Sequence, residues 1–194
     1  SALIDSYVVG PDYANFGVVY FSSIGRTLLT LTDDAATVKH MLMTTARRGG
    51  STCIYTGFQN ALQVLANPLS GRQNASKVII FIGDGQETCN IDALLQQLAL
   101  VPAGATRMVI SPSNTSYSSY VLKEIAGNPN NVILATFNTL MSKLDQITIQ
   151  TCTELSRQPC GSTCYGICGC ENQCLCPRCT NSSTCRVTTC LEGD

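Results

Sequence analysis

The sequence predicts an α/β protein: a doubly wound, mostly parallel sheet with helices on both faces, followed by a small disulfide-rich C-terminal module. Three observations carry that expectation. Short β-branched runs alternate with amphipathic segments of about ten residues, the rhythm of βαβ crossovers. The run "VIIFI", Val78–Ile82, is apolar without a break, as suits a strand buried on both sides of a parallel sheet. At Cys152 the periodicity stops, and ten of the 12 cysteines fall between Cys152 and Cys190. The chain therefore divides into an α/β domain over residues 1–151 and a cysteine-rich module over residues 152–194.

The elements follow in order. "NFGVVYFSS" (Asn15–Ser23) and "TLLTLT" (Thr27–Thr32) read as two adjacent strands joined by a short turn. Asp33 or Asp34 then caps a helix, "DAATVKHMLMTTARR", in which Val38, Met41, Leu42 and Thr45 recur at helical spacing. Arg47 and Arg48 complement its C-terminal dipole before Gly49 and Gly50 stop it. "FQNALQVLA" places Phe58, Leu62 and Leu65 on one helical face ahead of the "VIIFI" strand. The alternation continues through "NIDALLQQLAL" (helix), "TRMVIS" (strand), "SSYVLKEIAG" (helix), "NVILAT" (strand) and "FNTLMSKLDQITIQT" (helix).

Composition narrows the function classes. Charged residues make up 13% of the 194, against about 25% in an ordinary soluble domain, and the net charge is -1. No electrostatic attraction to nucleic acid or to an anionic membrane is implied. No apolar run approaches the roughly 20 residues of a membrane span, and the opening "SALIDSYVVG" lacks the basic start of a leader, so a mature or internal piece is expected. The cysteine density and three N-glycosylation acceptors, Asn74, Asn114 and Asn181, point to an oxidising, extracellular setting, secreted or on the cell surface, with N-linked glycans. In the tail, Cys152, Cys160, Cys164, Cys168, Cys170, Cys174, Cys176, Cys179, Cys185 and Cys190 are expected in disulfides rather than zinc thiolates. The tail pattern looks loosely like the EGF-like and related small modules.

Catalysis is not expected. The sole histidine, His40, sits in a helix, and no G-x-S-x-G elbow occurs. Asp84 and Glu87 form a conceivable carboxylate pair, but nothing beside them suggests a general acid. Asp84 stands where the "VIIFI" strand ends, the place where ligands gather in an open parallel sheet. With Gly85, Gln86 and Glu87 it could coordinate a hard cation, or it could cap the loop that follows.

Taken in order, "NFGVVYFSS", "GGSTCIYTGFQNAL", "VIIFIGDGQETC" and "VLKEIAGNPNNVILATFNTL" resemble a von Willebrand factor type A (vWA) domain, a Rossmann-like fold, over roughly residues 1–152. That family builds a metal-ion-dependent adhesion site from an Asp-x-Ser-x-Ser motif after its first strand, a loop Thr and a later Asp. The resemblance assigns Thr52 and Asp84 to the last two roles, with Ser51 standing in if the loop register slips by one. It also places the loops of Cys53 and Cys89 side by side, where a disulfide is expected.

The first strand and its Asp-x-Ser-x-Ser are missing from the sequence. No cofactor is therefore required, and Mg²⁺ or Ca²⁺ is expected only if the missing strand is supplied. In the family's strand order that strand is central, so the resemblance implies a slot filled by a cleaved N-terminal fragment, by a neighbouring subunit or by the rest of a longer protein, the alternative being a rearranged fold. The expectation is a non-catalytic adhesion or structural module, a subunit of a polymeric glycoprotein assembly or filament that self-associates or holds such a fragment. The alternative is a metal-dependent receptor domain.

Overall fold

The computed structural model describes residues 2–11, 13–46, 49–68, 75–111 and 119–135, together with Thr139, Ser142, Lys143 and Ile147, which are helical. The cysteine-rich tail, its expected disulfides, the sequon residues Asn74, Asn114 and Asn181, and Arg47 and Arg48 lie outside the described residues.

The element order is α1 (Ala2–Asp5), β1 (Phe16–Phe21), β2 (Gly25–Thr32), α2 (Ala35–Thr44), α3 (Ile54–Ala66), β3 (Val78–Ile82), α4 (Ile91–Ala99), β4 (Thr106–Ser111), α5 (Ser119–Ala126) and β5 (Val132–Leu134). The architecture is the expected α/β class, but the strands do not form one sheet. β1 and β2 make an antiparallel pair, with Phe16 opposite Thr32 and Phe21 opposite Gly25. β3, β4 and β5 make a parallel sheet in that order, with Val78 opposite Thr106 and Val109 opposite Val132. Among the described residues no ladder joins β1 to β3.

Loop hydrogen bonds fix the relative direction of the two half-sheets. The Cys53 N–H donates to the Ser22 carbonyl (2.7 Å), just beyond β1, and the Thr88 N–H donates to the Thr52 carbonyl (3.0 Å), just beyond β3. The carboxyl ends of β1 and β3 thus meet at one rim, and the two strands run the same way. Near that rim the rings of Phe21 and Phe81 stack with centroids 5.6 Å apart.

β4 shows why its segment is a strand buried on both faces. Val109 packs with Ile54, Phe58, Phe81, Leu94, Leu122 and Ile125 on one face, while Met108 and Ile110 pack with Ile133 and Ile147 on the other. Alternation of side chains along a strand sends consecutive apolar residues into opposite cores. α3 carries Ile54, Gly57, Phe58 and Val64 at helical spacing and packs against both β1 and β2. Gly57 lets the helix sit close on β1, because a Cβ there would press on the Phe21 side chain at 3.0 to 3.1 Å.

Two helix boundaries differ from the sequence expectation. α2 begins where Asp34, rather than Asp33, accepts from the N–H groups of Ala36 and Thr37. It ends at Thr44, short of the expected run to Arg48. The Thr44 and Thr45 hydroxyls bond back to the carbonyls of His40 and Met41 (2.8 and 2.6 Å), and Thr45 is already extended. Such back-bonding from β-branched residues competes with continued helix. α3 starts at Ile54, four residues before Phe58, because its first turn is capped from a distant loop.

Leu94→Ala, at a fully buried site, lowers unfolding free energy by about 2–5 kcal/mol. Leu100→Ala, at a site 65% exposed, stays within about 0.5 kcal/mol in the same urea titration. The Asp34 carboxyl is held below its ordinary value, first by the Thr37 hydroxyl and then by backbone N–H groups. Its capping contribution is therefore complete above about pH 3.9 and is lost as pH falls through the lowered folded value. The amide shifts of Ala36 and Thr37 should titrate below about pH 3.9, and should lose that transition in Asp34→Asn.

Candidate functional site

Two features converge at the junction of the half-sheets: a rim of loops and the slot beneath it. The rim begins where β3 ends. The Gly83 N–H still reaches the Ile110 carbonyl (3.1 Å), and Asp84 follows, half-buried. Asp84 Oδ1 accepts from the Gln86 N–H at 3.0 Å, so this carboxylate organises its own turn. Gly85 adopts φ +75°, and a Cβ there would meet Leu122 Cδ2 at 2.5 Å. The turn therefore needs glycine for both conformation and space.

Glu87 is the residue whose role the sequence hides. Its Oε2 accepts from the Tyr55 N–H (3.1 Å), and its Oε1 accepts from the N–H groups of Cys89 (2.7 Å) and Asn90 (3.2 Å). Cys53 occupies the N-cap position of α3 but makes no side-chain cap. A carboxylate 32 positions away in sequence does that work instead, and its charge suits a helix N-terminus. Glu87 is thus a backbone acceptor in this loop rather than half of an acid–base pair with Asp84. Asn90, at the start of the expected helix "NIDALLQQLAL", caps α4 by accepting from the Ala93 N–H (2.9 Å).

The two loops are clasped together. The Thr52 N–H donates to the Thr88 hydroxyl (2.8 Å) and Thr88 returns a bond to the Thr52 carbonyl. Beside this pair Cys53 and Cys89 form a disulfide with Cα atoms 5.1 Å apart. A cross-link at a sequence separation of 36 restricts the unfolded chain by about 3–4 kcal/mol in the loop-entropy account. Ser51 is exposed, its N–H bonded to the Ser23 hydroxyl at 3.1 Å.

The structure brings Thr52 and Asp84 to one rim, through their clasped loops. Their chemistry is right for a hard cation, one hydroxyl and one carboxylate. Mg²⁺ and Ca²⁺ ask for six or more oxygens, and Glu87 is committed to the backbone. Among the described residues no group of three or more His, Cys, Asp or Glu converges on a point. By themselves these residues do not fit a resident ion. His40 is exposed on α2.

Below the rim, β1 and β3 flank a cavity of about 360 Å³, walled by α1, α2 and α3. Hydrogen bonding sets which groups face it. Lys77 and Gly83 bond to β4, so the odd-numbered residues of β3 turn their backbone groups toward β4. Val78, Ile80 and Ile82 therefore turn their N–H and C=O groups toward the cavity. At the amino end of β1, Asn15 Oδ1 is buried with no hydrogen-bond partner and lies on the same cavity.

A parallel half-sheet with helices on both faces and loops gathered at its carboxyl rim defines a doubly wound α/β domain. Within that class the chain belongs to the von Willebrand factor type A domain family, whose profile matches residues 1–150. Among solved structures, proximal thread matrix protein 1 from the mussel byssus is 24% identical, with a TM-score of 0.66 over 75% of this chain. A form of that protein with a zinc-occupied MIDAS motif gives 23% and 0.63. Manganese-loaded TRAP from Plasmodium vivax gives 19% and 0.60. The chain spans 39% of the mussel protein and 61% of TRAP, and these likenesses show the fold. Comparison with curated proteins gives no match.

Removing the trans cap tests the clasp. Glu87→Ala should cost about 1–2 kcal/mol and lower hydrogen-exchange protection at Tyr55, Cys89 and Asn90 together. Asp84→Ala should affect Gln86 alone.

Proposed function

We propose that the chain is a non-catalytic extracellular adhesion or structural module that works by protein–protein contact, as a subunit of a larger glycoprotein assembly. The observation that carries this reading is the cavity between β1 and β3, where two strand edges have no ladder partner among the described residues. A strand from another segment or a neighbouring chain would satisfy both edges and bury apolar surface on both faces, which makes a durable joint. The Cys53–Cys89 disulfide and the cysteine crowding beyond Cys152 support an oxidising, extracellular setting. N-glycans at Asn74, Asn114 and Asn181 and disulfides in the tail belong to the same reading.

A second reading is a metal-dependent receptor in which an added strand supplies the rest of a shell around Thr52 and Asp84. Its support is that the clasp holds these two side chains' loops at one rim. Native and denaturing mass spectrometry of purified material, with and without EDTA, separates the two. The structural reading expects a species heavier than the 20.7 kDa chain that persists in EDTA. Dissociation in EDTA would favour the receptor, and a monomer without any partner would remove both.

A further inference from the structure

We propose that the Cys53–Cys89 disulfide is an exchangeable clasp: the thiolate of a small external thiol attacks it at Cys89, and opening the bond releases the Glu87 carboxylate from the amino end of α3. The two cysteines are unequally placed. Cys89 is exposed, in the loop between β3 and α4, whereas Cys53 is 5% exposed, at the N-cap position of α3. In thiol–disulfide exchange the attacking, attacked and leaving sulfurs lie in line. An attack on Cys53 would therefore have to come through its packed side, whereas Cys89 lies open to solvent. Exposed disulfides are the labile ones, and access selects the sulfur that is attacked.

The exchange balances without any further reactant. The external thiolate forms a new S–S bond to Cys89 as the Cys53–Cys89 bond breaks. Cys53 leaves with the bonding electron pair and takes a proton from water. The external sulfur is thereby oxidised to the disulfide level and Cys53 is reduced to a thiol. Attack of Cys53 on the adduct reverses each step, expels the external thiol and recloses the clasp.

What opening does follows from how Glu87 is held. Its Oε1 accepts from the Cys89 and Asn90 N–H groups, so the carboxylate travels with the loop that carries Cys89. Its Oε2 reaches across to the Tyr55 N–H of α3 at 3.1 Å. The closed disulfide keeps the two loops in register, with the Cα atoms of Cys53 and Cys89 5.1 Å apart. Once it opens, the loops are joined by the Glu87–Tyr55 bond and by the exposed Thr52–Thr88 pair, bonds for which water competes. The core does not rely on the clasp. α3 stays seated through Ile54 and Phe58, which share a cluster with Phe81, Leu94 and Val109. The rim thus has a closed form and a locally open form over an unchanged core, selected by the supply of thiol.

The test pulses the full chain with reduced glutathione, quenches with acid, blocks free thiols with N-ethylmaleimide and maps both labels by peptide mass spectrometry. Glutathione is expected on Cys89 and maleimide on Cys53. Leu94→Ala is expected to react at the same rate within about twofold, whereas a reaction that needs global unfolding would quicken about thirtyfold or more. The double variant Cys53→Ser/Cys89→Ser lacks the bond and carries no adduct. In it, hydrogen-exchange protection at Tyr55 is expected to fall at least about tenfold further than at Val109 in β4.

Glutathione on Cys53, equal labelling of both cysteines or no incorporation in the folded chain overturns the proposal. So does a rate that follows stability in Leu94→Ala, or an equal loss of protection at Tyr55 and Val109, since each makes the disulfide a structural cross-link. Any of these leaves the contact function standing, because that reading rests on the cavity between β1 and β3.

Discussion

A backbone amide or carbonyl taken out of water must find a partner, and the structure is organised around a place where that requirement is left open. β1 pairs on one side with β2, and β3 pairs on one side with β4; among the described residues a cavity, and no strand, lies between them. An unpaired buried group costs about 1–3 kcal/mol, so two open edges are affordable only while water reaches them. The exposure of Ile82 (55%) and Leu42 (44%), apolar side chains beside the gap, is the same fact seen from the side chains.

What keeps the half-sheets from drifting apart or collapsing together is a set of contacts that avoids the slot's backbone. α3 lies across β1 and β2 and reaches the parallel sheet through Phe58, whose ring is 6.3 Å from that of Phe81. At the rim the disulfide, the Thr52–Thr88 pair and the Glu87 carboxylate tie the loop before α3 to the loop after β3. On the opposite face Leu3 of α1 packs on the β3–β4–β5 core, and Asp5 pairs with Lys39 of α2. The frame around the gap is therefore braced on both faces and at one end.

The sequence revealed the frame better than the gap's braces. Strands such as "VIIFI" and "TRMVIS" and the helix in "NIDALLQQLAL" are local signals, written within a few residues and readable by periodicity. The split of the sheet was legible as a consequence of the vWA resemblance, since the segment that would fill the centre was missing. Glu87 was not legible, because Tyr55, 32 positions away, comes beside it only on folding, and a Glu in a loop carries no sign of a distant helix N-terminus. The end of α2 was misjudged for the opposite reason: the basic pair and glycines gave a strong stop signal, while two threonines closed the helix earlier.

The braces also bear on how well a guest strand could bind. Inserting a strand into a flexible gap must first order both edges, and each residue ordered costs about 1–2 kcal/mol of backbone entropy. Here α3, the disulfide and the Glu87 cap have ordered β1, β3 and the rim before any guest arrives, so binding has to order the guest alone. The same rigidity limits what the rim can do with a cation. Asp84 is tied to Gln86, Thr52 is fixed through its backbone to Thr88, and Glu87 cannot turn toward an ion without uncapping α3. A rim stiffened in this way cannot gather further oxygens by itself, so a metal shell around Thr52 and Asp84 would need ligands from outside the described residues.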